Sequence, residues 1–263
     1  MAFLEMTYKS RALKTNITLN VLLPERKDMD DIAGAPEVKS FKTLYLLHGL
    51  GANHSDWIRK TSIERYASAH GIAVVMPEVG RTWYTDTAYG QNYFTFITEE
   101  LPSVCQSYFK GMSDRREDNF IGGFSMGGYG ALKAAVSCPE RYFACISLSG
   151  SLDITREGRP YLLSEWQGNF GFDLPDAAAL KGSKHDIYAL TEKKHHEGIT
   201  FPKLYLWCGT EDHLVELNRK YHALLNELHI DHCYEESVGN HTWKYWDQYI
   251  QRALDYILTN SEK

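Results

Sequence analysis

The stretch Gly122-Gly123-Phe124-Ser125-Met126-Gly127-Gly128 decides how this chain is read. A short β-rich run, residues 119–121, leads into it, and a helical pattern, residues 126–137, leads out. Within it lies Gly123-x-Ser125-x-Gly127. A serine hydroxyl is a weak nucleophile unless it is held in the open beside a base. A tight strand-to-helix turn does this by pushing the side chain out at an unusual backbone angle. Glycines two residues either side let strand and helix approach without Cβ clashes. A nucleotide-binding reading fails on details. Gly122 and Gly127 have the outer spacing of a phosphate loop, but Gly128 stands where a lysine is required, and no Gly-x-Gly-x-x-Gly occurs here.

Outward from this turn, short β-rich runs alternate with longer helical patterns. Residues 3–8 and 16–23 alternate apolar and polar side chains, as in a half-exposed antiparallel pair. Residues 43–47 and 72–76 are nearly continuous apolar runs, as strands buried on both faces should be. Weaker strand signals follow at 143–148, 203–207 and 232–238. Helices are expected at 55–69, 93–109, 126–137, 214–228 and 243–258. Pro102 falls inside the second of these, where it either starts a new helix or kinks this one. Strands alternating with helices predict an α/β domain, with a mostly parallel sheet covered on both faces. One segment, 151–200, has no clean strand but many aromatics: Tyr161, Trp166, Phe170, Phe172 and Tyr188. It is expected to form a partly helical cap-like excursion, with its aromatics packing it onto the body, the alternative being that they line a substrate pocket.

Composition narrows the function classes. The 263 residues are 43% hydrophobic and 24% charged, enough to bury one large core. The net charge of −6, without a long basic cluster, argues against nucleic acid as a partner. No apolar run approaches the roughly 20 residues of a membrane span. The first 14 residues lack a secretory apolar stretch. Five widely spaced cysteines, with no Cys-x-x-Cys pair, fit neither a disulfide framework nor a zinc site. A reduced, cytoplasmic protein is expected.

A nucleophilic serine on a strand-to-helix turn needs an acid and then a histidine, in that chain order. Of the 11 histidines, only His222, His229, His232 and His241 lie beyond the loop 208–213 that follows the strand at 203–207. His241 sits between the last strand and the last helix, in a loop at the carboxyl end of a strand, where open α/β sheets place their sites. The others fall on a helix or near a strand start. Asp212, in Cys208-Gly209-Thr210-Glu211-Asp212-His213, follows the preceding strand and is the expected acid. An N-cap role competes for Asp212, and Glu211 is the alternative acid. His48-Gly49-Leu50-Gly51 follows the strand at 43–47. Backbone N–H groups there, with that of Met126, form the expected oxyanion site. His195-His196 and His229-x-x-His232 do not supply three metal ligands, so neither metal nor cofactor is expected.

Taken together, Leu46-Leu47-His48-Gly49, the Gly-Phe-Ser-Met-Gly-Gly-Tyr-Gly stretch from Gly123 to Gly130, and Asn240-His241-Thr242-Trp243 resemble the esterase D family of α/β-hydrolases. Trp83-Tyr84-Thr85-Asp86-Thr87 and Tyr245-Trp246 look like its bacterial tributyrin esterase branch. The similarity runs from about residue 7 to 256 and is least clear over 151–200. It implies a serine carboxylesterase acting on short acyl esters, acetyl or butyryl. Ser125 would be the nucleophile, His241 the base, Asp212 the orienting acid, and Leu50 and Met126 the oxyanion donors. The family also includes S-formylglutathione hydrolases, and related carbohydrate esterases remove acetyl or feruloyl groups from plant polysaccharides.

The expected partner is therefore a small-molecule or carbohydrate-linked acyl ester, with no nucleic acid and no membrane. Self-association into a homo-oligomer is left open. Trp83, Tyr84 and Trp243 are candidates for the substrate-pocket wall, whereas Tyr245 and Trp246 serve the apolar face of the last helix. An acyltransferase, in which an alcohol replaces water, would use the same residues. A non-catalytic binding protein would not need all three members of the triad.

Overall fold

A computed structural model describes residues 1–25, 40–156, 163–173 and 175–259. Among them eight strands make one sheet: β1 (Ala2–Lys9), β2 (Asn16–Leu23), β3 (Thr43–Leu47), β4 (Ala73–Pro77), β5 (Asn119–Phe124), β6 (Ala144–Leu148), β7 (Lys203–Gly209) and β8 (His232–Ser237). The spatial order is β1-β2-β4-β3-β5-β6-β7-β8. The β1–β2 and β2–β4 pairs are antiparallel and every later pair is parallel. This is the α/β-hydrolase fold: the strand-and-helix alternation predicts its mostly parallel sheet, and the resemblance to the esterase D family implies the hydrolase version of it. No helix of the described residues is long and apolar enough to cross a membrane.

The helices are α1 (Asp56–Lys60), α2 (Ile63–His70), α3 (Tyr93–Thr95), α4 (Leu101–Tyr108), α5 (Met126–Ser137), α6 (Leu163–Phe170), α7 (Ile187–His196), α8 (Val215–Glu227) and α9 (Trp243–Thr259). Two departures from the expected helices have local causes. Residues 55–69 divide into α1 and α2 because Thr61 is extended and its hydroxyl bonds the Trp57 carbonyl, while Ser62 N–H donates to Asp247 at 2.7 Å. Short hydroxyl side chains compete in this way with the helix ladder. Between α3 and α4 the chain makes a π-helical turn, Phe96–Glu100. Pro102 then sits in the first turn of α4, where its missing N–H costs little.

Because successive strand residues point to opposite faces, the central strands feed two cores. Tyr45, Leu47, Val75, Ile121 and Leu206 pack on one side with Met126, Tyr129 and Leu132 of α5 and Tyr221 of α8. Leu44, Leu46, Val74, Phe120 and Ile146 pack on the other with Trp57, Ile63, Trp246, Ile250 and Leu254. Each such fully buried aliphatic side chain contributes about 1.5–3 kcal/mol. The excursion is helical where it is described, with α6, a 3-10 turn at Ala177–Leu180, and α7. Trp166 is buried against Trp83, Phe170 packs beside it, and Phe172 is exposed, while Tyr161 lies outside the described residues. Glu165 of α6 accepts from the Trp83 indole at 3.0 Å and from the Arg81 guanidinium at 2.7 Å, tying the excursion to the loop after β4.

One charge lies inside this packing. Lys133 of α5 is 3% exposed, with Nζ 3.3 Å from the Tyr84 carbonyl and 3.2 Å from His185 Nδ1. Burial pulls its pKa down to about 7, with Asp86 opposing and Lys184 adding repulsion. Between that value and the usual one near 10.4, the unfolded chain holds this proton and the folded chain does not. Its contribution to stability therefore rises with pH across that window. Lys133→Met removes the rise. Urea unfolding at about pH 7 and about pH 9.5 should show the native protein gaining on the variant, by an amount on the order of 3 kcal/mol. Equal pH slopes would disprove the buried, readily deprotonated lysine.

Candidate active site

The sheet brings Ser125, Asp212 and His241 together at the carboxyl ends of β5, β7 and β8. Ser125 sits between β5 and α5 with φ +54° and ψ −118°, a conformation that side chains rarely adopt. The surroundings hold it there. Ser125 N–H donates to the Leu148 carbonyl at 2.9 Å, and its own carbonyl accepts from Ser151 N–H at 3.1 Å. A Cβ on Gly123 would stand 2.6 Å from the Gly127 carbonyl oxygen, which is why the turn needs a glycine there.

His241 Nε2 lies 3.0 Å from Ser125 Oγ, and its Nδ1 lies 2.8 Å from Asp212 Oδ2. Asp212 is 3% exposed. Burial alone would raise its pKa. The bonds from His241, Leu214 N–H and the Ser149 hydroxyl outweigh burial and hold the carboxyl below its ordinary range. An ionised carboxylate fixes the ring proton on Nδ1 and leaves Nε2 to accept the serine proton. Leu214 N–H bonds Asp212 Oδ1 at 2.9 Å, so the same carboxylate also shapes the start of α8. The N-cap of α8 is Leu214, with no side-chain cap bond, so Asp212 does not cap the helix; its second oxygen braces the turn that precedes it. The alternative acid, Glu211, is exposed, and its backbone N–H bonds the Gly239 carbonyl.

The turn after β3 presents the other half of the site. Val79 N–H donates to His48 Nε2 at 3.1 Å, which leaves His48 Nδ1 as the donor to the Gly49 carbonyl at 2.9 Å. Ala52 N–H donates to that same carbonyl at 3.1 Å. A trans peptide points its N–H opposite its C=O, so these two donors fix the direction of Leu50 N–H. Tyr84 Oη donates to the His48 carbonyl at 2.7 Å and pins the turn from the other side. The turn also abuts α5. A Cβ on Gly127 would come 2.5 Å from the Leu47 carbonyl oxygen and 2.7 Å from that of His48. Gly127→Ala should therefore push the turn after β3 away from α5 and lower kcat/KM by roughly 10² while circular dichroism stays native. Full activity in that variant would show that the close approach is unimportant.

The expected pocket residues fare differently. Trp83 and Tyr84 are each 1% exposed, so neither offers a wall to a ligand. Both have positive φ, and their polar atoms are taken by Glu165 and the His48 carbonyl. They shape the loop that supports the turn after β3. Trp243 is half-buried, edge-on to Trp57 and Phe124. Sequence reasoning missed Ser149. With φ +47° it accepts from the Trp246 indole at 3.1 Å and donates to Asp212. No spacing rule marks it, because its partners come from β7 and α9. The side chain of His48 was missed too, although its backbone was singled out.

Residues 10–257 match the family described as "Putative esterase". The chain belongs to this esterase family. The esterase is 33% identical to an acetyl esterase of Caldicellulosiruptor saccharolyticus over 267 residues, covering 100% of both chains. Among solved structures it resembles fluorophosphonate-binding serine hydrolase F of Staphylococcus aureus, with 34% identity, a TM-score of 0.87 and 98% of each chain covered. It also resembles the S-formylglutathione hydrolase of Staphylococcus aureus, with 33% identity, a TM-score of 0.85 and 98% of each chain covered. The esterase is a carboxylic ester hydrolase of the serine type.

Proposed function

We propose that this esterase cleaves short-chain acyl esters, acetyl or butyryl, through an acyl-enzyme on Ser125. The observation that carries the reading is the unbroken chain from Ser125 Oγ through His241 to the buried Asp212 carboxylate, at 3.0 and 2.8 Å. His241 Nε2 takes the hydroxyl proton as Ser125 Oγ bonds to the ester carbonyl carbon. Leu50 and Met126 N–H groups receive the oxyanion. The alcohol leaves with the proton from His241. Water, deprotonated by the same nitrogen, then attacks the acyl carbon and frees the acid and Ser125. The acetyl esterase relative supports the acetyl preference. The S-formylglutathione hydrolase relative supports a second reading, a thioester substrate on the same residues.

Steady-state hydrolysis of p-nitrophenyl acetate, butyrate and octanoate, methyl ferulate, acetylated xylan and S-formylglutathione tests the assignment. Acetate and butyrate should dominate. A dominant thioester, ferulate or xylan signal would retain the mechanism and replace the substrate. Products formed with a competing alcohol separate hydrolysis from acyl transfer. The partner is accordingly a small or carbohydrate-linked ester, and the five free cysteines support a reducing, cytoplasmic setting.

A further inference from the structure

We propose that His213, His241 and Asp212 form a capture site for a zinc-type divalent cation, whose binding reversibly arrests the esterase. The proposal rests on the triad reading above and adds a means of regulating it. His213 directly follows the acid in sequence, and the fold turns it back onto the base. Its Nδ1 lies 3.4 Å from Asp212 Oδ1, and its ring centroid is 4.7 Å from that of His241. One ligand atom from each of the three residues lies within 4.8 Å of the other two. Neither histidine pair that stands out by spacing in the sequence, His195-His196 or His229-x-x-His232, has this arrangement.

The donor chemistry selects the cation. Two imidazoles and one carboxylate, with a fourth position for water, make the open tetrahedral set that Zn²⁺ favours. Mg²⁺ and Ca²⁺ favour oxygen ligands instead. Asp212 brings a negative charge. The His213 side chain is 62% exposed and that of His241 is 23% exposed, which gives an ion a path from solvent. Inhibition follows from proton placement. Coordination through His241 Nδ1 moves the ring proton onto Nε2, where it faces Ser125 Oγ. The ring can then no longer accept the hydroxyl proton, although no proton is gained or lost overall.

The experiment has two arms. Zinc chloride is titrated into the native enzyme during p-nitrophenyl acetate hydrolysis, then removed with EDTA. Independently, Co²⁺ is titrated into Ser125→Ala, and the visible absorption of tetrahedral Co²⁺ is recorded, a signal that does not depend on turnover. The expected result is inhibition reversed by EDTA, a tetrahedral Co²⁺ spectrum, and at least a ~10-fold weakening of both on His213→Ala or His213→Gln. Unchanged zinc sensitivity in both His213 variants would overturn the proposal. So would loss of sensitivity in His232→Ala instead, which would place the ion at the His222–His232 pair, whose ring nitrogens lie 2.7 Å apart. Absence of the Co²⁺ spectrum would also overturn it. A fully active Ser125→Ala would instead sink the triad reading, and the cobalt titration would still report on the metal site.

Discussion

Ser125→Ala should lower hydrolysis of p-nitrophenyl acetate by about five to six orders of magnitude and abolish fluorophosphonate labelling. The residual rate, about 10³ above the uncatalysed one, would come from the oxyanion donors and from binding. Stability should change by no more than about 0.5 kcal/mol, because Ser125 is only partly buried and its backbone bonds to Leu148 and Ser151 do not involve the hydroxyl. A variant that melts with the native protein and keeps even a hundredth of the native rate would remove Ser125 from the mechanism. A variant that loses activity only because it unfolds would show early melting, so the two causes separate in one thermal scan.

Asp212→Asn should cost about 10⁴ in kcat with the fold retained. The amide can donate to His241 Nδ1, which drives the ring proton to Nε2 and points it at the serine oxygen. The second oxygen of Asp212 accepts from Leu214 N–H, so stability should fall somewhat as well, by about 1 kcal/mol for a weakened buried hydrogen bond. Glu211→Gln provides the contrast. Glu211 is exposed and the base lies beside Asp212, so kcat/KM should stay within about threefold, or roughly 0.7 kcal/mol. The opposite ranking of the two variants, read from pre-steady-state bursts, would reassign the acid.

The main lines of the fold were readable in the sequence because they rest on local patterns. Continuous apolar runs at 43–47 and 72–76 mark strands covered on both faces, and these became β3 and β4. The glycine-flanked Ser125 and the loops carrying Asp212 and His241 were reachable because each follows a strand directly. What escaped depends on long-range contact. Thr61 breaks a helix in a stretch whose apolar spacing runs straight through it, helped by Asp247 from the far end of the chain. Trp83 and Tyr84 are aromatic and near the motifs in sequence, which reads equally well as pocket or core. Only Glu165, brought in by the excursion, and the His48 carbonyl decide for the core. Ser149 and His213 had no pattern to betray them, since their roles exist only once β7, β8 and α9 are assembled.

The placement of β8 has a further consequence. It is the last strand of the sheet, paired on one side only, and every one of its residues is partly exposed. The loop that follows it carries His241, whereas Ser125 begins a helix buried almost throughout. His241 and Ser125 are therefore anchored to parts of the molecule with different burial, an exposed edge and a buried helix. A fluctuation that frees only the margin of the sheet is enough to disconnect them. Fraying of that one edge would therefore separate the two side chains while nearly all of the architecture still stands.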